Sequence, residues 1–341
     1  MVNGSDSFNE DESFSPTHHV ITTIRVLFFI WICGGNGLVI AAYLRYKTLQ
    51  SVTNYWILNL AVADFVTGLQ LIVEIIAEIL PNGAVHSIKH TRPSTEYFLI
   101  CAILTIFFSC AILISLLTLL GVTIDRYIAI FWPLRYQDLM TYNRAKIAAC
   151  TIWGIVIGYS CIAIAELRMR PVPSEMTSSA CIPENIDYLY APVFTLTAVI
   201  MIILYIHIFT VVHKQSKMIT PHEDTSTNHE YTSTNHEDTS TNHEDTSTTK
   251  ISRKNLIIIK TAVYVLGIFL FCWIPTITVS GLYVWGTISK NNLVFLSIME
   301  YAKLLSISNS GVNPLIYSYR LKPFRRAFCK LLQIKIQNIE E

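Results

Sequence analysis

The segment that decides the fold is residues 97–131, YFLICAILTIFFSCAILISLLTLLGVTIDRYIAIF. Residues 97–124 contain no Asp, Glu, Lys or Arg. A helix needs about 20 mostly apolar residues to cross the roughly 30 Å hydrocarbon core of a membrane. The segment therefore predicts a membrane-spanning helix that ends in the charged triplet Asp125-Arg126-Tyr127.

Six further apolar runs have the same character, and the whole chain is 52% hydrophobic and 14% charged. That composition excludes an ordinary soluble protein, and a net charge of +1 gives no indication of nucleic-acid binding. We predict an all-α membrane protein, a seven-transmembrane helix bundle. The other runs are Ile21 to Arg45, Asn54 to Leu80, Ala145 to Ala165, Tyr190 to Val212, Leu256 to Trp285 and Leu293 to Tyr317.

The distribution of basic residues sets the orientation of the bundle. Residues 1–20 contain no Lys or Arg, so they are predicted to be an extracellular tail, in which Asn3 is a candidate glycosylation site. With this topology the inner side carries 17 Lys and Arg and the outer side five. Because basic residues concentrate on the cytoplasmic side, we expect a multi-pass plasma-membrane protein with its N-terminus outside.

The chain divides into the outer tail, a bundle over residues 21–320 and a cytoplasmic end over residues 321–341. The third inner loop, about residues 215–250, repeats a seven-residue polar unit four times. The repeat lacks a constant apolar position, which predicts disorder in this loop; it is either a spacer or a phosphorylated segment. Residues 322–332 predict a short amphipathic eighth helix on the inner membrane face, with Cys329 as a palmitoylation site.

Polar residues recur in the middle or inner half of the spans, where they are costly in hydrocarbon. If they converge, they form either a hydrogen-bonded network that locks the helices or a site in which Asp64 binds a hydrated monovalent cation. Physical reasoning alone favours the network. The residues are Asn36, Asp64, Ser115, Asn309 and Asn313.

Two cysteines face the oxidising side in this topology. Cys101 opens the third span, and Cys181 lies in the loop between the fourth and fifth spans. We expect these two residues to form a disulfide that holds the loop over the mouth of the bundle.

Six short motifs occur in order along the spans, and together they resemble those of class A (rhodopsin-like) G-protein-coupled receptors. The segment Pro133 to Thr141, followed by Arg144-Ala145, is similar to adenosine and melanocortin receptors. The motifs are Gly35-Asn36-Gly37-Leu38-Val39, Asn59-Leu60-Ala61-Val62-Ala63-Asp64, Asp125-Arg126-Tyr127, Trp153, Phe269-x-x-Cys272-Trp273-Ile274-Pro275 and Asn313-Pro314-Leu315-Ile316-Tyr317.

The resemblance implies roles at the inner end of the bundle. Arg126 would leave Asp125 and turn toward a heterotrimeric G protein, and Leu134 would insert into a groove of that partner. Arrestin and receptor kinases would be further partners. The other switch residues would be Tyr127, Tyr205, Phe269, Trp273, Pro275, Asn313, Pro314 and Tyr317.

The resemblance also shifts the interpretation of the polar centre toward an allosteric sodium site formed by Asp64, Ser115, Asn309 and Asn313. No other cofactor is predicted. Two positions depart from the family pattern. Asn255 replaces an acidic residue that pairs with the triplet arginine in many relatives, and Thr197 replaces a proline of the fifth span, as in melanocortin- and cannabinoid-like receptors.

The sequence indicates the class of receptor more clearly than it indicates the ligand. Phe108 stands where amine receptors carry Asp, and Ile307 stands where opsins carry the retinal Lys. Glu74 and Lys303 either form an ion pair or recognise a charged or peptide ligand; adenosine-like and lipid ligands are the other candidates. The predicted pocket residues are Glu74, Glu78, Phe108, Ser109, Ser280 and Lys303.

Other classes of protein fit the sequence less well. An opsin-like light sensor lacks its lysine, and a transporter needs a polar path that these motifs do not provide. No nucleophile–base set or metal-ligand cluster has usable spacing, so an enzyme is not expected.

Overall fold

A computed structural model of the protein describes residues 16–79, 95–169, 184–219, 264–279, 281–282 and 293–333. Within these ranges the chain is all-α, as predicted. The helices are α1 Pro16–Arg45, α2 Val52–Ile79, α3 Thr95–Phe131, α4 Tyr142–Met169, α5 Glu184–Ile219, α6 Tyr264–Val279, α7 Leu293–Arg320 and α8 Lys322–Leu331. Between α3 and α4 lie a 3-10 turn, Pro133–Arg135, and one helical turn, Tyr136–Leu139.

Five of these helices, α1 to α5, are long and apolar enough to cross a membrane. The described part of α6 is apolar but shorter. Helix α7 has 28 residues, which is sufficient length, but serines and asparagines lower its hydropathy. Two of them, Ser310 and Asn313, face the interior of the bundle, where they donate hydrogen bonds to Asp64.

Several helices extend beyond the apolar runs from which they were predicted. Helix α1 begins at Pro16, five residues before its apolar run, and α5 continues to Ile219, inside the predicted third inner loop. The helix thus continues about four residues past the approximate start of the loop in which disorder is predicted. Hydropathy predicts only the part of a helix that lies in the hydrocarbon layer, whereas helical hydrogen bonds can continue into water. Pro16 can begin α1 because proline is tolerated in the first turn of a helix.

Helix α3 is the centre of the bundle, because it packs against α2, α4 and α5, while α1 packs against α2 and α7. Glycines permit the closest approaches. A Cβ atom on Gly121 of α3 would lie 2.6 Å from the Trp56 ring of α2, and one on Gly311 of α7 would lie 2.8 Å from the Trp31 ring of α1. Side chains at these glycines would push the helices apart.

Helix α8 has one apolar face, and that face packs on the bundle. Phe324, Ala327 and Phe328 are buried, and the Phe324 ring lies 6.0 Å from the ring of Tyr317 in α7. Cys329 on the same helix is half-buried. The predicted amphipathic helix is present, and its apolar face contacts α1 and α7.

Other sequence predictions fall outside the described residues. These are the glycosylation site Asn3, the loop cysteine Cys181, the repeats of the third inner loop, Asn255 and Ser280. The side chains of Glu78, Cys101 and Phe108 also lie outside the described part of the structure.

Candidate functional site

The inner end of the bundle contains a cluster that we name the inner clasp, formed by Thr53, Asp125, Arg126 and Tyr136. Asp125 is fully buried and accepts hydrogen bonds from Thr53 Oγ1 at 2.9 Å, Tyr136 OH at 2.7 Å and Arg126 Nε at 3.0 Å. A terminal guanidinium nitrogen of Arg126 also contacts Asp125 and Thr53. The carboxylate therefore holds the arginine side chain against α2 and α3.

Two members of the inner clasp were not predicted. Thr53 lies in α2 and Tyr136 in the turn after α3, so only tertiary structure brings them to Asp125. Burial raises the pKa of the Tyr136 hydroxyl, which keeps it protonated as a hydrogen-bond donor. Because Thr53 and Tyr136 both donate to Asp125, the carboxylate keeps partners even when the arginine leaves.

The surface next to the inner clasp carries an isolated apolar side chain. Leu134, in the 3-10 turn, is 97% exposed. Tyr127 stacks on Phe131 with ring centroids 4.3 Å apart, and its hydroxyl lies 3.1 Å from Nδ1 of His207 in α5. The structure thus places Leu134 where a partner can contact it and directs Tyr127 toward α5.

An aromatic core connects α5 and α6 in the middle of the bundle. The Trp273 ring lies 5.5 Å from Phe194 and 6.0 Å from Phe269, and Phe194 stacks on Phe269 at 5.7 Å. Leu116 of α3 is fully buried in the same cluster. Movement of Trp273 would therefore be transmitted directly to its neighbours in the close-packed core.

The prolines and tyrosines predicted to act in the switch lie in several helices, and the tyrosines pack in different clusters. Pro275 lies two residues after Trp273 in α6, and Pro314 lies inside α7. Tyr205 belongs to the aromatic core and accepts a 3.3 Å hydrogen bond from Thr123, whereas Tyr317 packs in the cluster under α8. The structure does not bring Tyr205 and Tyr317 into one cluster.

Thr197, the residue predicted to replace a proline of the fifth span, lies within helix α5. Its hydroxyl donates to the carbonyl oxygen of Val193 at 2.7 Å. Helix α5 does contain a proline, Pro192, five residues earlier.

Asp64 is the centre of a fully buried polar group that joins α2, α3 and α7. It accepts hydrogen bonds from Ser115 Oγ at 3.0 Å, Ser310 Oγ at 2.8 Å and Asn313 Nδ2 at 2.8 Å. Asn36 of α1 donates to the carbonyl oxygen of Ser310 at 2.9 Å. The predicted convergence is present, but Ser310 was not among the residues named.

A cavity connects this polar centre to the aromatic core. Asn309 contributes to its wall rather than to the hydrogen bonds that Asp64 accepts. The indole Nε1 of Trp273 is buried and has no hydrogen-bond acceptor in the structure. The cavity is lined by Thr67, Ile112, Ser115, Phe269, Trp273, Ser306, Ile307, Asn309 and Ser310.

The outer part of the bundle holds four charged residues that we name the outer charge cluster: Arg25, Glu74, Glu300 and Lys303. Lys303 Nζ lies 2.9 Å from Glu74 Oε1, so the predicted ion pair is present. Arg25 lies 2.8 Å from Glu300 and 3.8 Å from Glu74. Arg25 was not predicted as a partner, although an arginine inside an apolar run is itself a signal of a buried ion pair.

The outer charge cluster ties three helices together. Gln70 donates to Glu74 at 3.3 Å, and the Arg25 side chain is only 7% exposed. Among the described side chains, two cations face two anions. Ser109, the remaining predicted pocket residue with a described side chain, lies half-buried in α3.

Comparison with known proteins identifies the family. The model of the family described as "7 transmembrane receptor (rhodopsin family)" matches residues 35–317. The chain is 28% identical over 340 residues to adenosine receptor A2b of Gallus gallus, covering 91% of this chain and 87% of the relative. It is 27% identical to the human adenosine receptor A2b, covering 87% and 85%, and 27% identical to adenosine receptor A2a of Canis lupus familiaris, covering 92% and 72%. The chain therefore belongs to the rhodopsin family of seven-transmembrane receptors and is a multi-pass plasma-membrane signalling protein, not an enzyme.

Proposed function

We propose that this receptor binds a small extracellular ligand between the outer halves of its helices and activates heterotrimeric G proteins by releasing Arg126 from the inner clasp. The observation that supports this most directly is the position of Arg126, which is bonded to Asp125 and Thr53. An arginine held only by side chains of its own bundle can exchange them for a partner's backbone or acidic groups.

The route from ligand to Arg126 runs through α6. A ligand in the outer half would act on Trp273, which borders both the aromatic core and the cavity. Pro275 removes one helical hydrogen bond next to this tryptophan and permits a bend there. The inner half of α6 would then move outward. In the proposed orientation the N-terminus of the receptor lies on the extracellular side.

A sodium ion at Asp64 is part of the proposal. The carboxylate is buried and its neighbours Ser115 and Asn313 are neutral residues with oxygen atoms, the type of ligand that hard cations prefer. Asn309 lines the adjacent cavity and completes the proposed set. Sodium would favour the resting arrangement, so raising sodium concentration should weaken agonist binding.

Adenosine is the first ligand to test, because the relatives named above are adenosine receptors. Lipid and peptide ligands are the alternatives. The outer charge cluster pairs its charges internally, so direct recognition by Glu74 requires a ligand that displaces Lys303. An unchanged agonist potency in Glu74→Gln would assign Glu74 to the ion pair alone.

Further partners and modifications complete the proposed function. Arrestin and receptor kinases are proposed partners of the active receptor. The Ser- and Thr-rich third inner loop is the segment that the kinases are proposed to phosphorylate. We also propose palmitoylation of Cys329, glycosylation of Asn3 and a disulfide between Cys101 and Cys181.

The experiment that tests the proposed function is G-protein recruitment in cells that express the full receptor. Adenosine, lipid, amine and peptide panels are applied while cAMP and calcium are recorded. The control is Arg126→Ala at matched surface expression, which should lose the response. A response of normal size in Arg126→Ala would overturn the proposed mechanism.

A further inference from the structure

Contacts between α6 and α7 lie on both sides of Pro275. On the outer side, Thr276 Oγ1 donates to the carbonyl oxygen of Ala302 at 2.8 Å. On the inner side, the guanidinium carbon of Arg320 lies 4.5 Å from the centroid of the Tyr264 ring, at the start of the described part of α6. A cation this close to an aromatic face is attracted by the ring quadrupole. The outer contact can therefore persist while the inner contact opens.

We propose that the cation–π contact between Arg320 and Tyr264 is a latch that holds the part of α6 on the inner side of Pro275 against α7 in the resting receptor. The contact must break when α6 moves outward. This inference rests on the proposed function, because it assigns a resting-state restraint to the same α6 movement.

The residue at position 255 explains why a contact between α6 and α7 is needed to restrain α6. Asn255 occupies the position at which many relatives carry the acidic residue that pairs with the triplet arginine, so this chain has no carboxylate there. Among the described residues, the inner clasp holds Arg126 through α2, α3 and the following turn. A contact between α6 and α7 supplies the restraint on α6 that an acidic residue at Asn255 would have provided.

A second ring positions the arginine. Arg320 also lies 5.6 Å from the centroid of Tyr319, its neighbour in α7. Only the Tyr264 contact crosses between helices, and the Tyr264 side chain is 52% exposed. Because an exposed contact of this type is weak, it can open without a large energetic barrier.

The first test measures basal G-protein recruitment without ligand. Tyr264→Leu removes the ring and should raise basal recruitment about two- to fivefold, the shift expected for an exposed cation–π contact. Tyr264→Phe keeps the ring and should match the wild type. Tyr319→Leu is the matched control, because it removes a ring near Arg320 without removing a contact between helices, and it should leave basal recruitment unchanged.

Two further variants keep this test decisive. Arg320→Gln removes the cation and should raise recruitment as Tyr264→Leu does, so it gives an answer even if Tyr264→Leu fails to reach the surface. Adding Arg126→Ala to Tyr264→Leu should abolish the rise. Equal basal recruitment in wild type, Tyr264→Leu and Arg320→Gln, or a rise of equal size in Tyr319→Leu, would overturn the latch.

A second readout separates the latch from G-protein coupling. Spin labels on Cys150 of α4, which is exposed, and on a cysteine introduced at Gly267 of α6, where a Cβ meets no neighbour, report the distance between α4 and α6. Tyr264→Leu should add a population with a longer distance. The labelled receptor carries alanine at Cys33, Cys161 and Cys329.

The distance between α4 and α6 can be measured without a G protein. The experiment can therefore contradict the latch and the proposed G-protein function independently of each other. A longer distance without G-protein recruitment by any variant would contradict the proposed function and support the latch. An unchanged distance distribution would contradict the latch.

Discussion

The inner clasp and the outer charge cluster both remove charged groups from water, but they do so in different ways. In the inner clasp one cation, Arg126, neighbours one anion, Asp125, on the same helix. In the outer charge cluster Arg25, Glu74 and Lys303 come from three different helices. A pair on one helix can open without separating helices, whereas the outer pairs hold α1, α2 and α7 together.

The difference indicates which part of the receptor moves. Thr53 and Tyr136 continue to donate hydrogen bonds to Asp125 when Arg126 leaves, so the release of Arg126 does not leave the buried carboxylate without donors. Removing Arg25 or Lys303 from the outer charge cluster leaves Glu74 with one cation instead of two and removes an ion pair between helices. We therefore expect substitutions in the outer charge cluster to change stability and substitutions in the inner clasp to change basal activity.

The largest effect is expected for Arg25→Met. Glu300, whose side chain is 43% exposed, loses its 2.8 Å partner, and Glu74 loses one of two cations. Breaking such a partly buried ion pair costs about 2 kcal/mol, between the values for exposed and fully buried pairs. The Tm of the purified receptor should fall by several degrees. Lys47→Met, at an exposed position after α1, is the control and should leave the Tm unchanged. An equal Tm in both variants would show that the outer charge cluster contributes little to stability.

The next effect is expected for Asp125→Asn. The substitution keeps the size of the side chain but removes the charge that holds Arg126, and a hydrogen bond to a charged group contributes about 2 kcal/mol. Basal G-protein recruitment should rise about tenfold. The Tm should fall as well, because Thr53, Arg126 and Tyr136 all lose a charged acceptor. Asp138→Asn, exposed in the following turn, is the matched control. A large loss of Tm without any rise in recruitment would reverse the assignment made to the inner clasp.

A smaller effect is expected for Tyr136→Phe. It removes the 2.7 Å hydrogen bond to Asp125 and leaves Arg126 in place, at a cost of about 1 kcal/mol. Basal recruitment should change less than in Asp125→Asn, by about two- to fivefold. The same recruitment assay checks the order of the two variants, and a larger change for Tyr136→Phe would contradict the central position of Asp125.

The smallest effect on stability is expected for Leu134→Ala. Leu134 is 97% exposed, so truncation should change the free energy of unfolding by less than about 0.5 kcal/mol. If Leu134 contacts the G protein, agonist-stimulated recruitment should nevertheless fall. Leu139→Ala, in the next turn and partly exposed, provides the comparison. Unchanged recruitment in Leu134→Ala would remove Leu134 from the proposed interface.

The sequence predicted the parts of the molecule that depend on local composition. Apolar runs placed the spans and their order, and the buried convergence of Asp64, Ser115 and Asn313 followed from the cost of polar groups in hydrocarbon. The ion pair between Glu74 and Lys303 was also predicted because both residues lie in the outer parts of spans.

Other features depend on how helices rotate against one another, which periodicity does not define. Ser310 rather than Asn309 donates to Asp64, a difference of one residue, or about 100° around α7. Thr53 and Tyr136 reach Asp125 only through tertiary packing, and Arg25 meets Glu300 across 275 residues of sequence. Helix ends differ from the apolar runs because hydropathy does not report hydrogen bonding outside the membrane.

The most direct test of the comparison between the two regions is a cryo-EM structure of the full receptor bound to the G protein that it recruits. In that complex Arg126 should no longer contact Asp125 or Thr53. Lys303 should still contact Glu74, and Arg25 should still contact Glu300. A complex in which Arg126 stays bound to Asp125 and Thr53 while the outer pairs separate would contradict both expectations.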